Sequence, residues 1–381
     1  MSIRKLTKNC GRKYPLSLPF DLFNEEVRAA FQKTNLQRWD LMRTLRGTAA
    51  PNNPTDGEIA AEYLGISTDA KRLILTADAT IPGQQTVWGE AEASWLNTLG
   101  NAKTFLQKTS LEYNELLAVL DLKFINAKGD IGVRHLDRSC DTDQKVIEVL
   151  DESKLDRIHR FLRLWRKLKG WKMWELDLII RHPRIGNGGL DEPFLINLFH
   201  FSQLRNRLGE KTTVEQVCAL FGDLNTETRF TKLHEKREGA LYQSLFLNKR
   251  LVNPPDPDFE VAKVNVLPPP PPATMEQITT HHPVVLAAVG IREADLVLLK
   301  ELTKASDGTR YITDDLTLGN LSFLWRHACA LQRPRRKKPT PPVFSPHCGR
   351  VCRQSRRKLT RGNTTSSPLG HLPTWMALPH S

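Results

Sequence analysis

The chain has 381 residues, 40% of them hydrophobic, which is enough for two domains with sizeable cores. Its 55 Lys and Arg against 42 Asp and Glu leave a formal charge of +13, but the excess sits at the two ends. Eleven basic and no acidic residues lie between Arg333 and Ser381, and five more basic residues (Arg4, Lys5, Lys8, Arg12, Lys13) lie in the first thirteen positions. The remaining body is slightly acidic, so no electrostatic case for nucleic-acid binding attaches to it. Six thinly spread cysteines (Cys10, Cys140, Cys218, Cys329, Cys348, Cys352) lack the density of a disulfide-built domain, and reduced thiols are expected. The segment after Leu6 is polar, so no Sec signal is expected, and no run approaches the roughly 18 apolar residues of a membrane helix.

Helical periodicity begins after Pro19. Asp21 is placed to cap a helix in which Leu22, Val27, Phe31 and Leu36 recur near a 3.6-residue period. Residues 52–57 read as a loop. At Thr109-Ser110-Leu111-Glu112 the Thr109 hydroxyl is set to accept from an early helix amide while Glu112 reaches back, and the helix that follows carries Leu116, Leu117, Leu120 and Phe124 inward. The strongest periodicity runs over 155–168, where Leu155, Ile158, Phe161, Leu162, Trp165 and Leu168 form an apolar stripe opposite Arg157, Arg160, Arg163 and Lys167. Gly170 interrupts it, 171–180 resumes it, and Pro183 with Gly186-Asn187-Gly188-Gly189 breaks it again, the signature of an αα-hairpin. A further helix starts near Pro193 and runs through Leu195, Leu198, Phe199 and Leu204 to Gly209, and Thr212-Thr213-Val214-Glu215 caps the next.

From residue 253 the composition changes. Pro254, Pro255 and Pro257 precede a run of prolines from Pro268 to Pro272, so 253–282 is expected to be an extended linker. Two short helices over 283–302 and 316–331, separated by a short strand at 309–313, then form a small helical unit. At Arg333 period and acidic residues vanish together. The expected fold is mainly α: an irregular multi-helix bundle over 14–252, the linker, a small second helical unit over 283–332, a disordered basic head over 1–13 and a disordered basic tail over 333–381.

Each candidate for chemistry has a plainer reading. Cys348, Cys352 and His347 are an incomplete zinc set. Adjacent His281 and His282 point to different faces and lie beside prolines, which favours a linker over a shared ligand role. His159 reads as a solvated or boundary histidine, and the glycines from Gly186 lack the strand and Lys-Ser/Thr of a phosphate loop. The basic stripe from Arg157 to Lys169 follows Asp141, Asp143, Glu148, Asp151, Glu152 and Asp156, and a salt-bridged outer face is expected. Phe161, Trp165, Trp171 and Trp174 read as core and not as a base-stacking platform. No catalytic, cofactor-binding or metal residue is nominated, and no cofactor is expected.

Several segments carry a family resemblance. LPFD at 18–21 running into LFNEEVRAAF, FLQKTSLEYNELLAVL at 105–120, LDRIHRFLRLWRKLKGWKMWELDLII at 155–180, ALYQSLFLNK at 240–249, HPVVLAAVGIREADLVLL at 282–299 and LTLGNLSFLWRHA at 316–328 resemble, in order, the helical shell region of insecticidal toxin complex (Tc toxin) A components and virulence plasmid A proteins. The resemblance spans residues 15–331. It implies a truncated, non-enzymatic shell module of a secreted or cell-surface toxin subunit. In the family, larger chains form pentamers with other Tc subunits, contact a host-cell receptor or glycan, and deliver a toxic enzyme. The channel and receptor-binding modules would follow residue 331, where the resemblance stops, and 333–381 reads either as the product of a frameshift, misjoined exon or premature end, or as a genuine disordered basic extension. The rival expectation is a helical scaffold tethered by its basic tail to nucleic acid or an anionic membrane.

Overall fold

In a computed structural model the described residues are 13–47, 53–77, 84–90, 94–138, 140–209, 211–229, 239–264, 276–306 and 308–332. The expected disorder of the head (1–12) and tail, the proline run and the Cys348/Cys352 pair lie outside them. Among the described residues there are sixteen α-helices and one two-stranded sheet, so the fold is mainly α. The first part contains α1 (Leu22–Lys33), α2 (Arg38–Thr44), α3 (Asp56–Tyr63), α4 (Thr68–Leu75), α5 (Trp95–Gly100), α6 (Ala102–Thr109) and α7 (Tyr113–Leu120). A hairpin of β1 (Gly132–His135) and β2 (Lys145–Glu148) leads to α8 (Glu152–Trp165), α9 (Met173–Arg181), α10 (Glu192–Leu208) and α11 (Val214–Cys218). The last part contains α12 (Leu241–Phe246), α13 (Val261–Val264), α14 (His282–Val289), α15 (Glu293–Leu302) and α16 (Leu318–Gln332).

Local chemistry explains most helix starts. Asp21, Ser67, Asn101, Asp151 and Asp191 each accept a hydrogen bond from a backbone amide of the first turn, satisfying a donor that the helix leaves free. The capping box expected at Thr109 is displaced by one turn. Thr109 ends α6 and donates to the Phe105 carbonyl at 2.7 Å, and Glu115 reaches back to the Glu112 amide at 2.9 Å to start α7. The reason is Ser110, whose left-handed φ of 53° closes α6 before α7 can begin. Gly57 is helical and buried, because Thr55 and Glu58 cap α3 so that it starts at Asp56, two residues earlier than a loop over 52–57 would allow.

The larger core is organised around α8. Leu155, Ile158, Phe161 and Leu162 are fully buried, as the stripe predicts, and α8 packs on α4 while α10 packs on α3 and α11. Each such side chain stabilises the fold by roughly 1.5–3 kcal/mol through removal from water. By contrast α1 has no buried residue, and Leu36 beyond it is exposed. The hairpin was not anticipated. It pairs Val133 with Ile147 and Arg134 with Val146, and β2 rests on α5 and α6 with Ile147 turned into the core.

Packing does not divide at the prolines. The larger core ends at Cys218 and a second one starts at Ala219, taking in Leu241, Tyr242 and Phe246 of α12, Phe259, Val264 and Ile278, and then α14, α15 and α16. Tyr242, Phe246 and Phe259 stack at centroid spacings of 5.1 and 5.5 Å, and the Tyr242 hydroxyl donates to the Phe259 carbonyl. Hence 256–264 and 276–281 are part of this core. Gly290, in the left-handed region, splits 283–302 into α14 and α15. The strand expected at 309–313 is replaced by isolated bridges, Lys304 with Arg310 and Gln277 with Asp315.

Candidate functional site

The basic residues of α8 are placed differently from the expected outer face. Arg163, 4% exposed, donates to the carbonyls of Lys13, Leu16 and Leu18, and Arg160 donates to those of Ile74, Leu75 and Leu190. Arg157 and Arg166 reach the carbonyls of Phe124 and Thr109. Of the acidic residues that precede the stripe, Asp156 pairs with Arg160 at 3.2 Å, while Asp143 pairs with Lys103 and Glu148 with Arg134. The guanidinium has five donors on an apolar stem, so it can enter a core and serve loop carbonyls that water would otherwise hold. Burial, with a smaller effect from Arg166, pushes the Arg163 group down to about 10, still charged at neutral pH.

His159 is fully buried, edge-on to Trp88 at 6.3 Å, and not at a boundary. Its Nε2 lies 3.2 Å from Asp156, and burial lowers its pKa, which keeps the ring neutral. Phe161 is core. Trp165, half-buried, donates to the Trp171 carbonyl, and the Trp174 ring lies 4.1 Å from the Arg229 guanidinium. The glycine cluster is the tight turn between α9 and α10, closed by Gly188 N–H donating to the Ile180 carbonyl at 2.8 Å.

A candidate binding feature is a cleft of about 560 Å³ where the two cores meet. Its basic side chains come from three places: Arg181 at the end of α9, Arg184 in the turn after it, and Arg326 on α16. Arg181 is held by Asp177 at 2.9 Å and Glu227 at 2.7 Å. Arg326 donates to the carbonyls of Ala219 and Gly222. Burial lowers its pKa and Arg184 adds to the effect, whereas Asp223 opposes it. His182, 8% exposed, accepts from the Arg184 amide through Nδ1, and burial depresses its pKa to about 4, with Arg184 and Arg326 pushing the same way. The Cys218 thiol is held neutral by burial and by Glu215 and Glu175. This lining suits guanidinium contacts to polar or anionic groups. It does not poise His182 or Cys218 for proton transfer or nucleophilic attack at neutral pH.

No family model, no curated protein and no solved structure matches this chain. No helix among the described residues is long and apolar enough to cross a membrane. One set of three side chains is close enough to share a metal ion among the described residues: Asp256, Asp258 and His281. Sequence reasoning set His281 aside as a linker residue. The missed signal was the spacing of Phe259, Val261 and Val264 after the prolines, which draws that segment into the second core.

Proposed function

We propose that this chain is a non-enzymatic structural and binding module: an outer helical shell fragment of a Tc toxin A-type subunit, contributing surface to assembly and receptor contact. The observation that carries this reading is the outer side of α15, where Val297 and Leu298 of the resembling segment 282–299 are exposed together with Leu302 just beyond it. An apolar cluster on an outer helix suits a neighbouring domain or subunit. The other resembling segments coincide with α1, α6 to α7, α8 to α9, α12 and α16, a succession of helices that favours the same reading. Its partners would be further copies of the chain in a pentamer, other Tc subunits, and a receptor or glycan on a host cell, met by a secreted or surface-displayed particle.

The rival, a scaffold tethered by its tail, rests on the eleven basic residues after Gln332. Labelled full chain and a version lacking 333–381 would be applied to cultured insect cells over a salt series. The shell reading expects both to bind with little dependence on salt. Binding that disappears with the tail, or falls steeply with ionic strength, overturns it in favour of the tether. Light scattering of both proteins reports whether copies associate through the body.

A further inference from the structure

The imidazole of His281 is wedged between two turns of the second core. Asp256 caps the single-turn 3-10 helix Pro257–Phe259, accepting from the Asp258 amide at 3.0 Å through Oδ1, and its Oδ2 lies 2.5 Å from His281 Nδ1. An ionised carboxylate only accepts, so the proton of this contact is on Nδ1, and the neutral ring then presents a lone pair at Nε2. Nε2 is buried without a hydrogen-bond partner, on a side chain 11% exposed. It faces Asp258 Oδ2 at 3.6 Å and Glu276 Oε2 at 3.7 Å. Phe259, edge-on at 5.6 Å, fixes the plane of the ring.

Those two separations are long for hydrogen bonds but close to the edge of a coordination tetrahedron, roughly 3.4 Å for metal bonds of about 2.1 Å. The Asp256 contact has the form in which a carboxylate orients a ligating histidine and raises its basicity. Asp258 Oδ1 is held by Lys263 at 2.7 Å, which leaves Oδ2 for another partner. Three carboxylates against one ammonium leave two negative charges, the complement of a divalent cation.

We propose that His281 Nε2 and Asp258 form a zinc-type divalent metal site in which Asp256 is the positioning residue and Glu276, which lies outside the close set of Asp256, Asp258 and His281, swings in from the solvent side as the third ligand. One imidazole nitrogen with carboxylate oxygens suits zinc better than magnesium or calcium, which favour all-oxygen shells. Three protein ligands leave a fourth position for water or a partner's side chain. The metal ties the 256–259 turn to the entry of α14, so binding stabilises the second core.

The test uses the full chain carrying His347→Ala, Cys348→Ser and Cys352→Ser, which removes the tail's clustered Cys and His residues. After chelator stripping, zinc chloride is titrated by calorimetry and thermal melts are recorded with and without zinc. One zinc per chain and a raised melting temperature are expected, with no response to magnesium. His281→Gln and Asp258→Asn each abolish both effects, and Asp256→Asn weakens affinity about 10- to 100-fold at unchanged stoichiometry. Circular dichroism of the metal-free variants checks their folding. Should His281→Gln fail to fold, Asp258→Asn and the exposed Glu276→Gln decide the matter. No zinc binding in the parent background, or binding unaltered by Asp258→Asn and Glu276→Gln, overturns the proposal.

Discussion

Arg163 is a charged side chain in the interior whose three hydrogen bonds all go to backbone carbonyls, those of Lys13, Leu16 and Leu18. Hydrogen bonds from a charged donor contribute about 1.5–3 kcal/mol each, but their loss is not additive where water can enter. Arg163→Met is expected to cost about 3 kcal/mol in urea unfolding, and Arg163→Lys to recover only part, because an ammonium cannot span the same fork. An unchanged unfolding midpoint for Arg163→Met would sink the clamp. His182 makes a second prediction at this scale. Its folded pKa of about 4 lies below the usual 6.5, so between those values the unfolded chain holds a proton that the folded ring does not. Its contribution is therefore constant above pH 6.5 and is lost as pH falls toward 4, by on the order of 3 kcal/mol. His182→Asn offers an amide oxygen to the Arg184 amide, so its unfolding free energy should fall less between pH 7 and pH 4.5 than that of the wild type. Parallel pH profiles would disprove the assignment.

Among the elements, the α9 to α10 turn leaves no room for a side chain at Gly186. A Cβ on Gly186 would sit 2.2 Å from the Ile180 carbonyl oxygen, a backbone atom that cannot swing away. Gly188 needs its left-handed φ of 80° but has open space around it. Gly186→Ala is accordingly expected to destabilise the fold by about 3 kcal/mol or more, and Gly188→Ala by about 1 kcal/mol. Thermal melts of the two variants compare a steric clash with backbone strain, and a milder Gly186→Ala would contradict the packing. The same turn aligns α9 and α10 and sets Arg181 and Arg184 at the mouth of the cleft.

For the molecule as a whole, the joint between the two cores matters most. Arg326 of α16 holds the carbonyls of Ala219 and Gly222, and the buried Ser322 hydroxyl accepts from the Leu224 amide at 2.9 Å. Arg326→Ala removes two charged hydrogen bonds there and should cost about 2–3 kcal/mol, with faster proteolytic cleavage near residues 219–229. Unaltered proteolysis would show that apolar packing alone keeps the cores together. The cleft lined by Arg181, Arg184 and Arg326 takes its walls from both sides of this joint.

Sequence by itself determined the helical class, the stripe of α8, and the starts of α1 at Asp21 and of α10 near Pro193. These follow from neighbours within a turn or two, through the 3.6-residue period and the satisfaction of terminal amides. Tertiary structure alone decided which polar groups entered the core. The α8 arginines have the spacing of a solvated face, yet they are buried because carbonyls of residues 13–18 and 74–75, far away in sequence, need donors there. His281 meets Asp256 across 25 positions of a proline-rich stretch because Phe259 is drawn into the second core. Such meetings depend on which apolar surfaces find each other, and local periodicity carries no record of that choice.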